Sequence, residues 1–334
     1  MSFAITSSVT IGPFQPFKAS SLKWRRNIDN FSDSAFITLP TMCLLQGIDK
    51  QYNYVPTAQA FTEGMAVQID AGYDQKNKTR FKGFVKRINL KVPTEIECEG
   101  YAYLLRPVRF TKGYTKVTKV KTVIQDLLAA GGLTGKIKLR PEFQDVTFEP
   151  YTFKNFSGTE VIEFLQKWYK LTAFFLFDQL YMGLRETLWI NATSAPVKHA
   201  LGWNIIKDDK LLFNANKEFA QVNIMAVSRN SDGTRNSGIN KLQQPGGTKI
   251  ERVLSRDASF LAAIAEQEKT LLTYKGYSGK LTGFLEPYAE PGMSSLITDT
   301  AYQKRTGTYF IESVEGEIDR KVGGRQTIGI GNAL

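Results

Sequence analysis

The sequence predicts a mainly β protein with an α+β insertion, in which two similar β domains are joined by a small α+β module. Three observations support this prediction. Short strand-like segments dominate both ends of the chain, helix signals are concentrated nearer its middle, and one set of segments recurs in the same order near each end. The chain has 334 residues, which is long enough for two or three domains.

Residues 1–106 are predicted to form the first β domain, because its segments are short and end at turn residues. The clearest pattern is the alternation Glu95-Ile96-Glu97-Cys98-Glu99. A period of two places Ile96 and Cys98 on a buried face and the three glutamates on the opposite face. The predicted strands are Ser8–Gly12, Ser34–Leu39, Ala66–Ala71, Arg80–Ile88 and Thr94–Tyr103.

Residues 107–213 are predicted to form the α+β module. A short helix over Lys121–Ala130 ends at a pair of glycines. Ser157 and Glu160 have the spacing of a capping box, and a second amphipathic helix follows them. An apolar hairpin comes next, with strands Thr172–Phe177 and Leu180–Leu184.

Residues 214–334 are predicted to form the second β domain. A strand over Gln221–Ser228 precedes a polar, glycine-rich stretch, Asn230–Gly247, which we expect to be an exposed loop. A helix is predicted over Ser255–Tyr274 and is expected to pack on the middle module. The chain then returns to strands and ends with Arg325–Gly331.

The recurring segments suggest that the β domain is duplicated. Each set consists of a Gly-Met turn leading into a strand, a polar hairpin tip, an aromatic-led strand and a closing strand. The first set is Gly64–Ile69, Phe81–Ile88 and Ile96–Gly100, and the second is Gly292–Ile297, Tyr309–Val314 and Arg325–Gly331. The period is too long for a solenoid. Chance similarity between two β-meanders is the alternative.

The charge of the chain is uneven. Its net charge is +11, and residues 111–140 alone carry seven Lys and Arg against one acidic residue. The candidate contact residues are Lys112, Lys116, Lys119 and Lys121. This basic segment can face nucleic acid, an acidic partner protein or solvent. Tyr114 is its only aromatic residue, whereas a platform for stacking bases needs several.

The usual catalytic and metal-binding residues are scarce. His199 is the only histidine, no nucleophile motif surrounds it, and we expect a surface or loop residue without a catalytic role. Cys43 and Cys98 need not pair, and one His with two Cys argues against a zinc site. We therefore predict no catalytic, cofactor or metal site. A hydrolase that uses only carboxylates stays open, although no such site stands out.

Membrane and secretion signals are also not evident. No apolar run reaches the length of a membrane span, and the N-terminus does not have the pattern of a signal peptide. The sequence therefore predicts no membrane insertion, and folding in a reducing cytoplasm is expected.

A further set of segments, spread over nearly the whole chain, carries a family resemblance. These segments are Leu22-Lys23-Trp24, Phe36–Leu39, Arg80–Val85, Glu97–Tyr101, Leu104–Arg106, Leu180–Gly183, Gly276–Gly279, Gly307–Glu315 and Gly324–Ile328. In this order they resemble the baseplate hub proteins of contractile-tailed phages. That family includes the late control protein D of prophages and the hubs of related secretion and injection systems.

The resemblance implies two tail-tube-like β-barrels joined by the α+β module. It also implies a homotrimeric ring whose six barrels mimic a tube hexamer, which makes the chain a structural hub rather than an enzyme. Such a hub adapts the hexameric tail tube to a trimeric central spike, contacts other baseplate proteins and surrounds a channel that DNA can pass. Its place would be the virion tail, assembled in the cytoplasm of a bacterial host.

Two other functional classes stay open. One is a nucleic-acid-binding protein that uses the basic segment 111–140. The other is a cell-wall-degrading tail protein. The chain ends soon after the second predicted barrel, so we expect no fused spike or lysozyme domain.

Overall fold

The computed structural model describes residues 4–47, 50–192, 195–215, 222–229, 235–242 and 249–334. The strands up to residue 120 are β1 (Ile5–Ile11), β2 (Ser21–Asn27), β3 (Ser34–Leu39), β4 (Met42–Gln46), β5 (Tyr52–Pro56), β6 (Ala66–Tyr73), β7 (Lys76–Asn89), β8 (Thr94–Glu99), β9 (Arg109–Tyr114) and β10 (Thr118–Lys119). Those up to residue 215 are β11 (Lys138–Leu139), β12 (Thr147–Phe148), β13 (Tyr151–Ser157), β14 (Thr172–Leu176), β15 (Gln179–Gly183), β16 (Val197–Ala200) and β17 (Ile205–Asn214).

The remaining strands are β18 (Val222–Arg229), β19 (Arg235–Leu242), β20 (Lys249–Val253), β21 (Gly276–Gly283), β22 (Ser294–Thr298), β23 (Gly307–Asp319) and β24 (Gly323–Ala333). The α-helices are α1 (Thr57–Ala60), α2 (Val120–Ala130), α3 (Gly158–Tyr169), α4 (Arg185–Ala192) and α5 (Ala258–Thr273). Short 3₁₀ helices lie at Tyr101–Leu105 and Gln303–Arg305. Among these helices, none combines the length and the apolar character that a membrane span requires. With these strands and helices, the chain is mainly β, as predicted.

The chain divides into two compact units, and their boundaries differ from those of the predicted domains. Unit 1 contains residues 1–103, 192–212 and 278–334, and unit 2 contains residues 104–191 and 213–277. The segment 213–277, which includes α5, is therefore grouped with the middle module rather than with the C-terminal strands.

Unit 1 contains two sets of strands with the same order. We call β1, β2, β3, β6, β7 and β8 the first repeat, and β16, β17, β21, β22, β23 and β24 the second repeat. Adjacent strands in the sheet run β1-β6-β7-β8-β3-β2 in the first repeat and β16-β22-β23-β24-β21-β17 in the second. Numbered along the chain within each repeat, both orders are 1-4-5-6-3-2. They differ in that β1 pairs antiparallel with β6, whereas β16 pairs parallel with β22.

The two repeats share one sheet, because β2 of the first repeat pairs with β23 of the second. The main path of this sheet begins at β1 and ends at β17, and the described residues include no pairing that closes it. One hydrophobic core contains Ile37, Ile69, Phe81 and Ile96 of the first repeat together with Leu285, which lies between β21 and β22, and Ile318 of β23 packs against it. Closed barrels are therefore not observed in the described part of the chain.

Unit 2 is built from small sheets around an aromatic core. Its pairings are β9 with β13, β10 with β12, β11 with β15 and β14, and β18 with β19 and β20. Phe148, Phe153 and Tyr169 are fully buried, and the ring of Phe148 stacks on both others with centroids 5.9 and 5.5 Å apart. The core is thus held by ring contacts that favour defined geometries.

Several local predictions are confirmed. Ser157 caps α3 in a complete capping box, in which its hydroxyl accepts from the Glu160 N–H and the Glu160 carboxylate accepts from the Ser157 N–H. Helix α2 ends at Gly131, and β14 and β15 form the predicted hairpin. Ile96 and Cys98 are fully buried, and both cysteines are free thiols.

Three local predictions are wrong. Arg235–Leu242, predicted as part of an exposed loop, forms β19 because its backbone pairs with β18, while residues 230–234 and 243–247 lie outside the described part of the chain. The predicted final strand of the first β domain ends at Glu99, and a 3₁₀ helix follows. Glu99 itself is buried rather than exposed, and its carboxylate accepts a hydrogen bond from the Ser32 hydroxyl at 2.5 Å.

Candidate assembly interface

The junction between the two repeats is an antiparallel pairing of β2 with β23. The register places Leu22 opposite Ile318 and Asn27 opposite Ser313. Trp24 lies opposite Gly316, and a Cβ atom at that glycine would come within 1.9 Å of the indole ring. The absence of a side chain at Gly316 therefore lets the indole lie flat against β23, where Trp24 is 3% exposed.

Ion pairs cover one face of this junction. Lys23 Nζ lies 2.8 Å from Glu317 Oε1, and Arg25 Nε lies 3.4 Å from Glu315 Oε1. The hydrogen bond that Lys23 donates to the Glu317 carboxylate raises the pKa of Lys23 above its ordinary value. Because these side chains are partly exposed, such pairs contribute less than about 1 kcal/mol each. Their main effect is to favour this register, in which opposite charges face each other.

The other face of the junction buries a charged cluster. Arg26 Nε lies 3.3 Å from Asp33 Oδ2, and Arg26 Nη1 lies 3.3 Å from Glu290 Oε1. Asp33 belongs to the first repeat's segment of the chain and Glu290 to the second's. Loss of one partner from such a cluster costs about 3–5 kcal/mol, because a charge is then buried without compensation. The cluster therefore ties the two repeats together.

Burial shifts the ionisation of this cluster. It raises the pKa of Asp33 to about 7, against the opposing effect of Arg26. Burial alone would lower the pKa of Arg26, but Asp33 and Glu290 raise it above its ordinary value. The sequence contains a signal for this site that the prediction missed. A period of two along β2 places Arg26 on the same face as Leu22 and Trp24, both of which are buried.

A second buried arginine also links the repeats. Arg80 on β7 is 2% exposed and donates to the Leu285 carbonyl at 2.9 Å and to Glu286 Oε1 at 3.1 Å. Its guanidinium lies 4.7 Å from the ring centroid of Tyr288, whose hydroxyl donates to the Thr79 carbonyl at 3.1 Å. Burial lowers the pKa of Arg80. The segment before β22 is thus held against β7 by charge-assisted hydrogen bonds.

The predicted basic contact residues all lie in unit 2. Lys112 is on β9, Lys119 on β10 and Lys121 in the first turn of α2, whereas Lys116 lies in the connection between β9 and β10. All four are exposed. Lys112 Nζ already lies 2.7 Å from Asp126 Oδ2, and Lys119 Nζ lies 3.5 Å from the Asp145 carbonyl oxygen. Part of the positive charge is therefore already paired within the chain.

The expected surface position of His199 is wrong. The residue lies on β16, which pairs with β22 inside the sheet, and its side chain is 2% exposed. His199 Nδ1 lies 2.7 Å from Ser295 Oγ, and burial lowers the pKa of the imidazole to about 4. A histidine beside a serine resembles a nucleophile and its base. Ser295 is 0% exposed, however, so this hydroxyl is not accessible to a substrate in the described structure.

The described residues hold no cluster of three or more His, Cys, Asp or Glu side chains with the geometry of a metal site. The groups that the fold does bring together are the ones that join strands of the two repeats. The candidate functional feature is therefore the β2–β23 junction, together with the strand edges that could form an equivalent junction.

Comparison with solved structures identifies the fold. The chain is similar to a tail protein from Neisseria meningitidis MC58, with a TM-score of 0.65, 12% identity and coverage of 98% of this chain and 96% of that one. It is also similar to the 43 kDa tail protein of prophage MuSo2 from Shewanella oneidensis, with a TM-score of 0.60, 13% identity and coverage of 98% and 97%.

A third similar structure comes from a secretion system. The E. coli c3393 protein is a component of the type VI secretion system with structural similarity to the bacteriophage T4 tail proteins gp27 and gp5. Its TM-score is 0.57 at 11% identity, with coverage of 98% of this chain and 77% of that one. No family model and no curated protein matches the sequence. The predicted resemblance to tail baseplate hub proteins is thus confirmed at the level of the fold.

Proposed function

We propose that this chain is a structural, non-enzymatic hub of a phage-type tail baseplate and that three copies form a ring. The observation that carries the proposal is the same six-strand order in both halves of unit 1. A chain with two equivalent β domains can contribute two positions to a sixfold ring. Three chains then supply six positions while the assembly keeps only threefold symmetry. Each domain is proposed to form one tail-tube-like barrel in that ring.

The insertions determine which features repeat six times and which repeat three times. Residues 104–191 lie between the two repeats, and residues 215–275 interrupt only the second repeat, between β17 and β21. Unit 2 therefore occurs once per chain. Its three copies give the ring a threefold feature alongside the sixfold-like repeats. Such a ring is suited to join a hexameric tail tube to a trimeric central spike, which are the proposed partners together with other baseplate proteins.

Head-to-tail contacts form a closed ring only at the correct rotation between subunits. In the ring, strand edges that are open in the single chain would be covered, which removes templates for unwanted strand pairing. The proposed location is the virion tail, with assembly in the host cytoplasm and a channel wide enough for DNA. The fold shared with tail proteins and a secretion-system component supports this proposal.

Mass measurement in solution tests the ring. Light scattering coupled to size exclusion is expected to give a species of three times 37.5 kDa. A reconstruction of purified particles should then place three chains and six similar β domains around the tail axis. A protein that stays monomeric at every concentration, alone and with its tail partners, would contradict the ring. A position away from the axis would contradict the adaptor role.

A further inference from the structure

We infer that β17 of one chain pairs antiparallel with the end of β7 of a neighbouring chain, and that this pairing reproduces the β2–β23 junction between chains. This inference rests on the proposed ring and names the residues that close it. Within one chain, the second strand of the first repeat pairs with the fifth strand of the second repeat. A ring of alternating repeats needs the reciprocal contact, in which the second strand of the second repeat meets the fifth strand of the first repeat.

Both edges that this contact requires are open in the described chain. One edge of β23 pairs with β22 up to Phe310 and then with β2 from Ser313 onward. The corresponding edge of β7 pairs with β6 up to Phe84, and no described strand continues that pairing over residues 86–89. Strand β17 is the last strand of the sheet and has β21 as its only neighbour in the described sheet order. An open edge of this kind is a template for pairing with another chain.

The fifth strands can be aligned residue by residue. The Val85 N–H donates to the Met65 carbonyl and the Ile311 N–H donates to the Met293 carbonyl, both at 2.8 Å. In both strands a β-bulge follows, between Val85 and Arg87 and between Ile311 and Ser313. Val85 and Ile311 are therefore equivalent. Counting four residues onward makes Asn89 the equivalent of Glu315.

The second strands can be aligned through their neighbours. Trp24 lies opposite Ala35, which in turn lies opposite Cys98. In the second repeat Gly279 takes the place of Ala35, because it lies opposite Ile330, the equivalent of Cys98. A Cβ atom at Gly279 would lie 2.0 Å from the Lys210 carbonyl oxygen and 3.5 Å from Leu211 Cα. Gly72 shows the same pattern toward the Lys76 carbonyl and Asn77 Cα, and its strand partner is Asn77. Leu211 is buried at 5% exposure, as Trp24 is at 3%. Leu211 is thus the equivalent of Trp24, and Leu212 is the equivalent of Arg25.

Because Arg25 lies opposite Glu315 within the chain, Leu212 should lie opposite Asn89 of the neighbouring chain. The exposure of apolar side chains agrees with this contact. Leu212 is 65% exposed at the open edge of β17, and Leu90 and Val92, just past the end of β7, are 79% and 87% exposed. Covering these leucine and valine side chains removes apolar surface from water, which favours the contact.

Cysteine cross-linking tests the pairing with a matched control. The test variant carries Leu212→Cys and Asn89→Cys, and oxidation is expected to join chains into a covalent trimer with no larger species. The control carries Leu212→Cys and Glu315→Cys, the equivalent position of the other repeat. It should give no cross-linked chains, because β2 already occupies the edge of β23 beside Glu315. A variant with Arg25→Cys and Glu315→Cys should close within one chain and verifies that this position can form a disulfide. The buried native Cys43 and Cys98 are retained.

The masses of the reduced variants separate the two ways in which the idea can fail. If the reduced test variant is a trimer but oxidation gives no covalent trimer, the β17–β7 pairing is wrong and the ring stands. If equal cross-linking occurs in the Leu212→Cys, Glu315→Cys control, the pairing is also wrong. If the reduced protein is monomeric at every concentration, the ring itself fails and the pairing fails with it.

Discussion

Val85 and Ile311 make the same two backbone hydrogen bonds in separate parts of the chain. Each N–H donates to the carbonyl of the methionine in a Gly-Met turn, Met65 or Met293, at 2.8 Å. Each carbonyl accepts from the glycine of that turn, at 2.8 Å for Val85 and 2.9 Å for Ile311. The turn and the strand that it contacts are therefore equivalent in both repeats. This supports duplication over a chance likeness between two meanders.

The equivalence predicts equal effects of substitution in the two turns. Gly64 has φ +84° and Gly292 has φ +90°, a region that costs a residue with a side chain about 1–2 kcal/mol. We expect Gly64→Ala and Gly292→Ala each to lower the free energy of unfolding by about that amount, measured by urea denaturation. Gly307→Ala is the control, because Gly307 has no positive φ and an added Cβ would lie 3.4 Å from the Tyr309 ring, an ordinary van der Waals contact. A large loss in one turn and none in the other would contradict the equivalence.

The junction between β2 and β23 predicts a larger effect at Gly316. A Cβ atom there would lie 1.9 Å from the Trp24 ring, so Gly316→Ala must displace either the indole or the strand. Overpacking of this kind costs about 1–3 kcal/mol, and we expect a lower melting temperature together with a changed tryptophan fluorescence spectrum. The double variant Trp24→Phe, Gly316→Ala should recover part of the loss, because the smaller ring leaves more room. No loss of stability in Gly316→Ala would mean that the two strands do not pack as described.

How much of the fold could be predicted depends on how local the signal is. The capping box of Ser157 and Glu160 and the strand Ser34–Leu39 are encoded by neighbouring residues, and both were predicted correctly. The β2–β23 junction is a pairing between residues near the two ends of the chain, for which no short segment holds a signal. The same reason explains the wrong prediction for His199, which is buried on β16, a strand that pairs with the distant β22.

The candidate interface likewise has features that could be predicted from local sequence and features that could not. The recurring Gly-Met turns indicated a duplicated domain, and the structure gives both copies one strand order. The charged cluster of Arg26, Asp33 and Glu290 was missed, because composition and spacing do not show which charged residues come together. The strand β19 was missed because its polar residues do not alternate, although its backbone pairs with β18.

The buried cluster predicts a dependence of stability on pH. Asp33 has a pKa of about 7 in the folded chain against an ordinary value of 3.8. Between these values the folded state binds the proton more tightly, so this group stabilises the fold at low pH and the contribution is lost as pH rises through about 7. We expect urea denaturation of the wild type to show this loss between pH 3.8 and about pH 7.

Asp33→Asn removes the titration of this carboxyl group, so that comparison with the wild type separates its contribution from that of other groups. The difference in unfolding free energy between wild type and variant should change with pH in the window from 3.8 to about 7. His199 acts in the opposite direction. Its lowered pKa of about 4, against 6.5, means that its contribution is lost as pH falls between those values. His199→Asn is therefore the second variant in the series. Parallel pH curves for wild type and Asp33→Asn would contradict the raised pKa of Asp33.

The exposed lysines of unit 2 predict an effect on partners rather than on the ring. Lys116, Lys119 and Lys121 are exposed at the start of α2 and in the connection before it. If they face an acidic baseplate protein, complementary charge orients that contact and speeds association. We expect the charge reversal Lys116→Glu, Lys119→Glu, Lys121→Glu to reduce particle assembly by about tenfold or more, a loss of at least 1.4 kcal/mol in binding, while the trimer measured by light scattering is unchanged.

The matched control reverses the same number of charges elsewhere in unit 2, at Lys154, Lys167 and Lys275, which are also exposed. Equal loss in both variants would attribute the effect to net charge, because any added negative charge would then repel an acidic partner in the same way. Normal assembly of the first variant would contradict a role for the basic segment in partner contact.

A direct assay of DNA binding by the wild type at low and high salt tests the nucleic-acid alternative, since affinity for phosphates falls steeply with salt. Salt-sensitive DNA binding that the first variant loses, together with normal particle assembly, would assign these lysines to nucleic acid instead of a protein partner.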